Sequence, residues 1–407
     1  MALSSRAKAS IARVFASVLC CAASACDPNY IDIISRSDNS DPCAALDAAA
    51  CAANTADGCA FQPSPTGCSS SDLTCGAGVC ASGDPFVRAS GEALFLHGKP
   101  FTFLGTVSWG LAWSDTCQVS KYPSQAAALG PTFDEFAAMH LSALRVWAFQ
   151  SSAGDRGNDF SHLDALVNAA RATGVRLILV LENMHPDCSS GVTLDDQWFA
   201  SGYKSPYGKY ALSYRDYVTG VVSHFSNEPT IMAWELMHEA GGNDFNALDA
   251  FAADMTALIR KLDTHHLIAL GTENGTSPAT SADGDPSNYF RLQSHPDVDL
   301  LDVHDFDLAG QFPAQFARCQ QIAHALGKPI FAGATAVNLV DTSASSFELR
   351  AEQLDGKLQA AFQANFRGFL VYDYVPGWTT AKFDFDTRPT EPLSGPGGLL
   401  DQRAPKY

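Results

Sequence analysis

The chain has 407 residues, with 44 acidic against 26 basic side chains, a formal net charge of −18 and 46% hydrophobic residues. That size and apolar content support one large core with accessory segments. A surface this acidic repels phosphate backbones, which excludes nucleic acid as a natural partner, and it is compatible with neutral sugars.

The first elements concern export. Residues 1–25 hold Arg6, Lys8 and Arg13 and no acid, and Val14–Ala25 is apolar but too short to span a bilayer. This is the pattern of an export signal. Ala23-Ser24-Ala25-Cys26 resembles a bacterial lipobox, with Cys26 as the residue that would carry lipid. A membrane-anchored lipoprotein is therefore expected, with ordinary cleavage near Ala25 and release as the alternative.

Residues 26–84 read as a spacer rich in Ala, Ser, Asp, Gly and Pro, with too few large apolar residues to form a core unaided. The segment holds six cysteines after Cys26, at positions 43, 51, 59, 68, 75 and 80. In an exported chain this density predicts three disulfides, whose pairing is open among fifteen arrangements. No histidine lies in that cluster, which disfavours zinc there.

From residue 85 to 407 the texture changes. A small hairpin, turning at His97-Gly98-Lys99-Pro100, leads into eight strand-like runs. They are predicted at 101–107, 143–149, 176–183, 230–239, 267–274, 300–306, 329–334 and 368–374. Amphipathic helical stretches lie between them, at 163–173, 210–225, 245–262, 313–326 and 347–365. Eight strands alternating with helices predict a (β/α)₈ barrel. The rival, an open doubly wound sheet, lacks its Gly-rich phosphate loop after the first strand. A monomer is expected.

In such a barrel the site lies at the C-terminal ends of the strands. Those ends offer Trp109 and Trp113, then Arg145 and Trp147, then Glu182 and Asn183, then His238 and Glu239. They continue with Glu273 and Asn274, with His304, Asp305 and Asp307, and with Tyr372, Asp373 and Trp378. Acids, amides, histidines and tryptophans in one ring suit sugars, which offer apolar C–H faces and many hydroxyls. No Cys/His metal set and no serine nucleophile elbow is legible, so neither metal nor cofactor is expected. Trp147 and Trp234 also fit a core role, Arg145 an ion pair at the barrel mouth, and Asp305 and Asp307 a loop role. Glu235, on the same side of its strand as Glu239, reads as a structural group of the interior. Cys117 and Cys188 fall in loops on one barrel face, where a disulfide would pin the cleft rim, and Cys319 reads as a buried thiol. The sequon Asn274-Gly275-Thr276 reads as a turn or site amide.

Five stretches together resemble glycoside hydrolase family 5, the clan A family of cellulases and β-mannanases. WELMHEA resembles its W-E-x-x-N-E-P stretch, LRVWAF its strand-two Arg motif and DVHDF its His-x-Tyr motif. GKPIFAGATA resembles its G-K-P-I-x-x-G-E-x-G motif, and DTHHLIALGTEN its strand-five approach in the mannanase-like branch. The resemblance runs in order from about Phe86 to the C-terminus. It implies binding of β-linked polysaccharide, of mannan or glucan type, by Arg145, Trp147, His238, His304, Phe306, Tyr372, Trp378 and Trp109. It implies Glu239 as acid/base in a retaining mechanism, with a second carboxylate about 5–5.5 Å away as nucleophile.

The nucleophile position falls on Ala334, which has no oxygen to attack with, and neighbouring Thr335 has no identifiable base. His238 stands where the family has Asn, Phe306 where it has Tyr, and Tyr372 where it has Trp. Four altered positions fit divergence of the whole site. Three readings follow: a glycan-binding barrel with little or no retaining hydrolysis, an active mannanase- or cellulase-like hydrolase using Glu182, Glu273 or Asp305 as another carboxylate, or a non-catalytic surface scaffold.

Overall fold

In the computed structural model, the residues described are 59–62, 79–82, 84–108, 111, 129–186, 189–272, 286–306, 314–337, 347–374, 387, 392–393 and 397–404. The chain divides into two units, Met1–Ser82 and Gly83–Tyr407. In the first, β1 (Cys59–Gln62) pairs antiparallel with β2 (Val79–Ser82). The lipidation position Cys26 and the disulfides expected in the spacer lie outside what is described there, as does the Cys117–Cys188 pair.

The second unit opens with a three-stranded antiparallel sheet, β3 (Arg88–Ser90), β4 (Ala93–Leu96) and β5 (Lys99–Phe101). The expected turn is shorter than read from sequence. Leu96 pairs with Lys99, so Lys99 and Pro100 belong to β5 and only His97 and Gly98 form the turn. Both have positive φ, 54° and 72°, as a type I′ hairpin turn requires.

Eight parallel strands follow: β6 (Phe103–Val107), β7 (Ala143–Trp147), β8 (Arg176–Val180), β9 (Ile231–Glu235), β10 (Leu267–Ala269), β11 (Leu301–Asp305), β12 (Ile330–Thr335) and β13 (Gly368–Val371). Their order is β10-β9-β8-β7-β6-β13-β12-β11. The two ends of this order are joined where the N–H groups of Asp299 and Leu300 donate to the Ile268 carbonyl at 2.9 and 3.2 Å. This is the expected (β/α)₈ barrel.

Several strands are shorter than the sequence runs suggest. The residues at their ends, Glu239 among them, leave the ladder and stand on the loops that follow. Alternation then sorts the side chains. Leu144, Val146, Leu177, Leu179, Leu301 and Val303 face the helices, while Ala143, Ile178, Ala233, Ala269, Phe331, Ala334 and Leu370 fill the interior. Val87 and Leu94 belong to that inner cluster, with Ala89, Leu96 and Phe101 packed on it, so the three-stranded sheet plugs the barrel.

The helices follow the same logic. In α2 (Ser161–Thr173), following α1 (Leu129–Ala138), the buried residues Leu163, Leu166, Val167 and Ala170 repeat at helical spacing, and Gly174 ends the helix at φ 78°. Between β9 and β10, the helix Phe245–Leu262 begins where Asp244 accepts from the N–H groups of Asn246 and Ala247. Trp234 is fully buried, and its indole N–H donates to Asp263 at 2.7 Å, which settles it as a core residue. Cys319 is buried, as expected.

Candidate active site

Glu239 stands four residues beyond the end of β9 with φ 58°, the left-handed region that costs a non-glycine residue about 1–2 kcal/mol. The next turn is equally constrained. Gly271 has φ 69°, and a Cβ there would meet the Met237 carbonyl oxygen at 1.6 Å and Glu235 Oε1 at 2.5 Å. The Ala240 N–H donates to the Gly271 carbonyl at 2.8 Å. Local strain is thus fixed by surrounding bonds, and it aims the Glu239 carboxylate at three imidazoles.

His304 Nδ1 lies 3.1 Å from Glu239 Oε1, and His185 Nε2 lies 3.2 Å from Oε2. His238 Nε2 lies 3.8 Å from the same Oε2. Burial alone would push the Glu239 carboxyl up. The surrounding histidines, His238 foremost, with hydrogen bonds from His185 and His304, outweigh it and hold the carboxyl well below the usual range. A carboxylate accepts only, so the ring nitrogens facing it carry the hydrogens. His238 is itself pushed down to about 3, chiefly by burial.

Beneath this group lies a buried ion pair. Arg145 Nε donates to Glu235 Oε2 at 2.9 Å, and its Nη2 donates to Glu235 Oε1, with both side chains fully buried. The same Nη2 lies 3.2 Å from His238 Nδ1. Arg145 therefore holds Glu235 and positions His238, the ion-pair role that the sequence also allowed for it. Trp147 is likewise interior: it stacks on Phe149 with ring centres 4.9 Å apart and lies 5.2 Å from His238. Behind His304, Asp302 Oδ2 is 3.8 Å from Nε2. Burial, reinforced by the charge of Glu235, pushes Asp302 up to about 7.

Ala334 pairs in register with His304 across the β11–β12 ladder and is fully buried in the inner cluster. Phe306 and Tyr372 pack on that cluster, edge to face at 5.5 Å. Ala334, where the resemblance implies a second carboxylate, thus presents a methyl group to the inner cluster.

Two of the three alternative carboxylates are committed elsewhere. Asp305 Oδ2 accepts from Lys357 Nζ at 2.7 Å, with both side chains fully buried. Lys357 lies on the helix Phe347–Gln363, so Asp305 points outward from the barrel. Glu182 is buried, accepts from the Tyr207 hydroxyl and from the Asn183 N–H at 2.8 Å, and is pushed up to about 8 by burial. Glu273, with Trp109, Trp113, Asn274, Asp307 and Trp378, lies outside the described residues.

Sequence reading missed His185, Asp302 and the convergence of histidines. Asp302 was legible in principle, since even spacing from His304 places both on the interior face. His185 is on a loop with no periodic signal. Contrary to the sequence expectation that no metal set exists, His238, Glu239 and His304 offer three ligand atoms that all lie within 4.8 Å of one another.

The sequence model of the cellulase family, glycosyl hydrolase family 5, matches residues 106–354. The chain is 30% identical over 268 residues to mannan endo-1,4-beta-mannosidase 2 of Oryza sativa subsp. japonica, covering 56% of this chain and 59% of that protein. It is 26% identical over 269 residues to mannan endo-1,4-beta-mannosidase 1 of the same organism, covering 56% and 61%. The chain thus spans about three-fifths of the length of these relatives. Among solved structures, the endo-beta-1,4-mannanase of Thermotoga petrophila superposes with a TM-score of 0.60 at 19% identity, covering 76% of this chain and 77% of that one. The endo-1,4-beta-mannanase of Rhizomucor miehei gives 0.61 at 16%, covering 79% and 100%. At these identities the superpositions speak for the fold.

Proposed function

This chain belongs to glycosyl hydrolase family 5, and on that premise we propose that its barrel binds a β-linked polysaccharide of mannan or glucan type while lacking retaining hydrolysis. The observation that carries this reading is the methyl group of Ala334 beside His304. Retention needs a carboxylate that attacks the anomeric carbon and forms a covalent intermediate. A methyl group cannot, and hydrolysis by that route should fall to background.

The state of Glu239 supports the same reading. An acid/base residue must carry a proton to release the leaving group. The hydrogen bonds from His185 and His304 favour the ionised form instead. The cleft keeps a polar wall of histidines and, in Phe306 and Tyr372, half-buried aromatic faces suited to a sugar ring. The names of the relatives favour mannan as the first glycan to test. The proposed setting is outside the cytoplasm, reached by the leader at 1–25 and held at a membrane by lipid on Cys26.

An inverting hydrolase is the second reading. Its base would stand about 6.5–9.5 Å from Glu239. The Lys357 bond of Asp305 and the burial of Glu182 count against both, which leaves Glu273 to be tested. The experiment is reducing-sugar release from β-mannan and β-glucan, with polysaccharide binding read on the same samples. Binding with background release supports the proposal. Release of reducing ends by the wild-type chain supports the hydrolase.

A further inference from the structure

We infer that His238, Glu239 and His304 form a binding site for one divalent transition-metal ion of the zinc type. The donor set is two imidazoles and one carboxylate, which suits zinc and its neighbours rather than magnesium or calcium. The spacing fits as well. With metal–ligand bonds of about 2.1 Å, ligand atoms at the corners of a tetrahedron stand about 3.4 Å apart. Glu239 Oε1 lies 3.1 Å from His304 Nδ1 and Oε2 lies 3.8 Å from His238 Nε2, and one ligand atom from each of the three residues lies within 4.8 Å of the other two, close enough for small side-chain shifts to close on an ion.

The site is also built from behind. Asp302 Oδ2 stands 3.8 Å from His304 Nε2, the far nitrogen of the ring. Metal at Nδ1 displaces the hydrogen from that atom and leaves Nε2–H aimed at the Asp302 carboxylate, an arrangement that orients a ligating histidine. Glu239 is held on its left-handed turn by the Ala240–Gly271 bond. His238 and His304 are 92% and 96% buried, so their rings are fixed by packing before any ion arrives. Binding at His238 Nε2 places that ring's hydrogen on Nδ1 and gives up the 3.2 Å contact with Arg145, whose guanidinium keeps both bonds to Glu235. The open side is marked by His185, whose side chain is 47% exposed and whose Nε2 is 3.2 Å from Glu239 Oε2. A fourth ligand enters there, either His185 or a water.

This inference does not rest on the cleft holding polysaccharide, and its test uses none. The full chain is treated with chelator, exchanged into chelator-free buffer and titrated with zinc chloride by calorimetry, with bound metal counted after gel filtration. One zinc per chain, bound at micromolar affinity or tighter, is expected. Glu239→Gln, His304→Ala and His238→Asn should each weaken binding by at least about 10-fold. His324→Ala, which removes a surface histidine paired with Glu92, should change neither affinity nor stoichiometry. If His304→Ala fails to fold, His238→Asn and Glu239→Gln decide alone, since both preserve size and polarity. No stoichiometric uptake by the wild-type chain overturns the inference. So does uptake that is unchanged in Glu239→Gln and His238→Asn.

Discussion

His304 touches Glu239 through Nδ1 at 3.1 Å while its own backbone lies in register with Ala334. One residue therefore connects the retained carboxylate to the missing one. The first expectation follows from that adjacency. Ala334→Glu would place a carboxylate beside His304 and opposite Glu239. Partial recovery of hydrolysis is expected, because Phe306 has no hydroxyl to hold the new carboxylate and His238 cannot reproduce an Asn amide. Adding Phe306→Tyr and His238→Asn should raise activity above the single change. Steady-state reducing-sugar assays of the single and triple variants check this ordering.

The buried pair at the barrel centre gives a stability expectation. Arg145→Met leaves Glu235 without its bidentate partner in the interior. The cost should be about 3–5 kcal/mol, the scale of breaking a buried ion pair from one side. Arg145→Lys should recover little of it, since an ammonium cannot bond both oxygens in one plane. Urea unfolding curves of the three proteins measure the difference.

A similar argument applies on the outer face. Lys357→Met should destabilise by about 3–5 kcal/mol by stranding Asp305. The double change Lys357→Met with Asp305→Leu should recover a large part of that loss. A double-mutant cycle read by chemical denaturation gives the coupling directly. Asp305→Asn should leave glycan binding unaltered, as its side chain points away from the cleft.

Glu182 supplies a pH expectation. Its carboxyl is pushed from 4.5 to about 8, so between those values the folded state holds a proton that the unfolded state has lost. Stability therefore falls as pH rises through that window, by up to a few kcal/mol at about 1.4 kcal/mol per unit. Glu182→Gln removes the slope. The variant should gain on the wild type steadily from pH 5 to pH 8 in unfolding free energy and no further above it.

Much of the fold is legible in the sequence. The strand runs declared themselves through apolar stretches bounded by Gly, Pro and polar turns, and Gly174 marked its helix end. Ala334 lies in β12 as its motif predicts, whereas Glu239, expected at the end of its strand, stands on the loop beyond β9. What could not be read is contact between distant residues. Nothing local tells that Asp305 meets Lys357, 52 residues on, or that the partner of Arg145 is Glu235, 90 residues on. The histidine group was hidden for the same reason. His185, His238 and His304 sit on three different loops or strands, and only the left-handed turn at Glu239 brings one carboxylate to all of them. A turn of that hand at a non-glycine residue has no signature in sequence.

A family 5 barrel with alanine at position 334 should show no retaining hydrolysis. The most direct measurement is reducing-end release from β-mannan by the unmodified chain, compared with Glu239→Gln at equal concentration. Both should lie at background while the wild-type chain still binds the polysaccharide. Robust release by the wild type that disappears in Glu239→Gln would contradict this, and would assign the work denied to Ala334 to another group in the cleft.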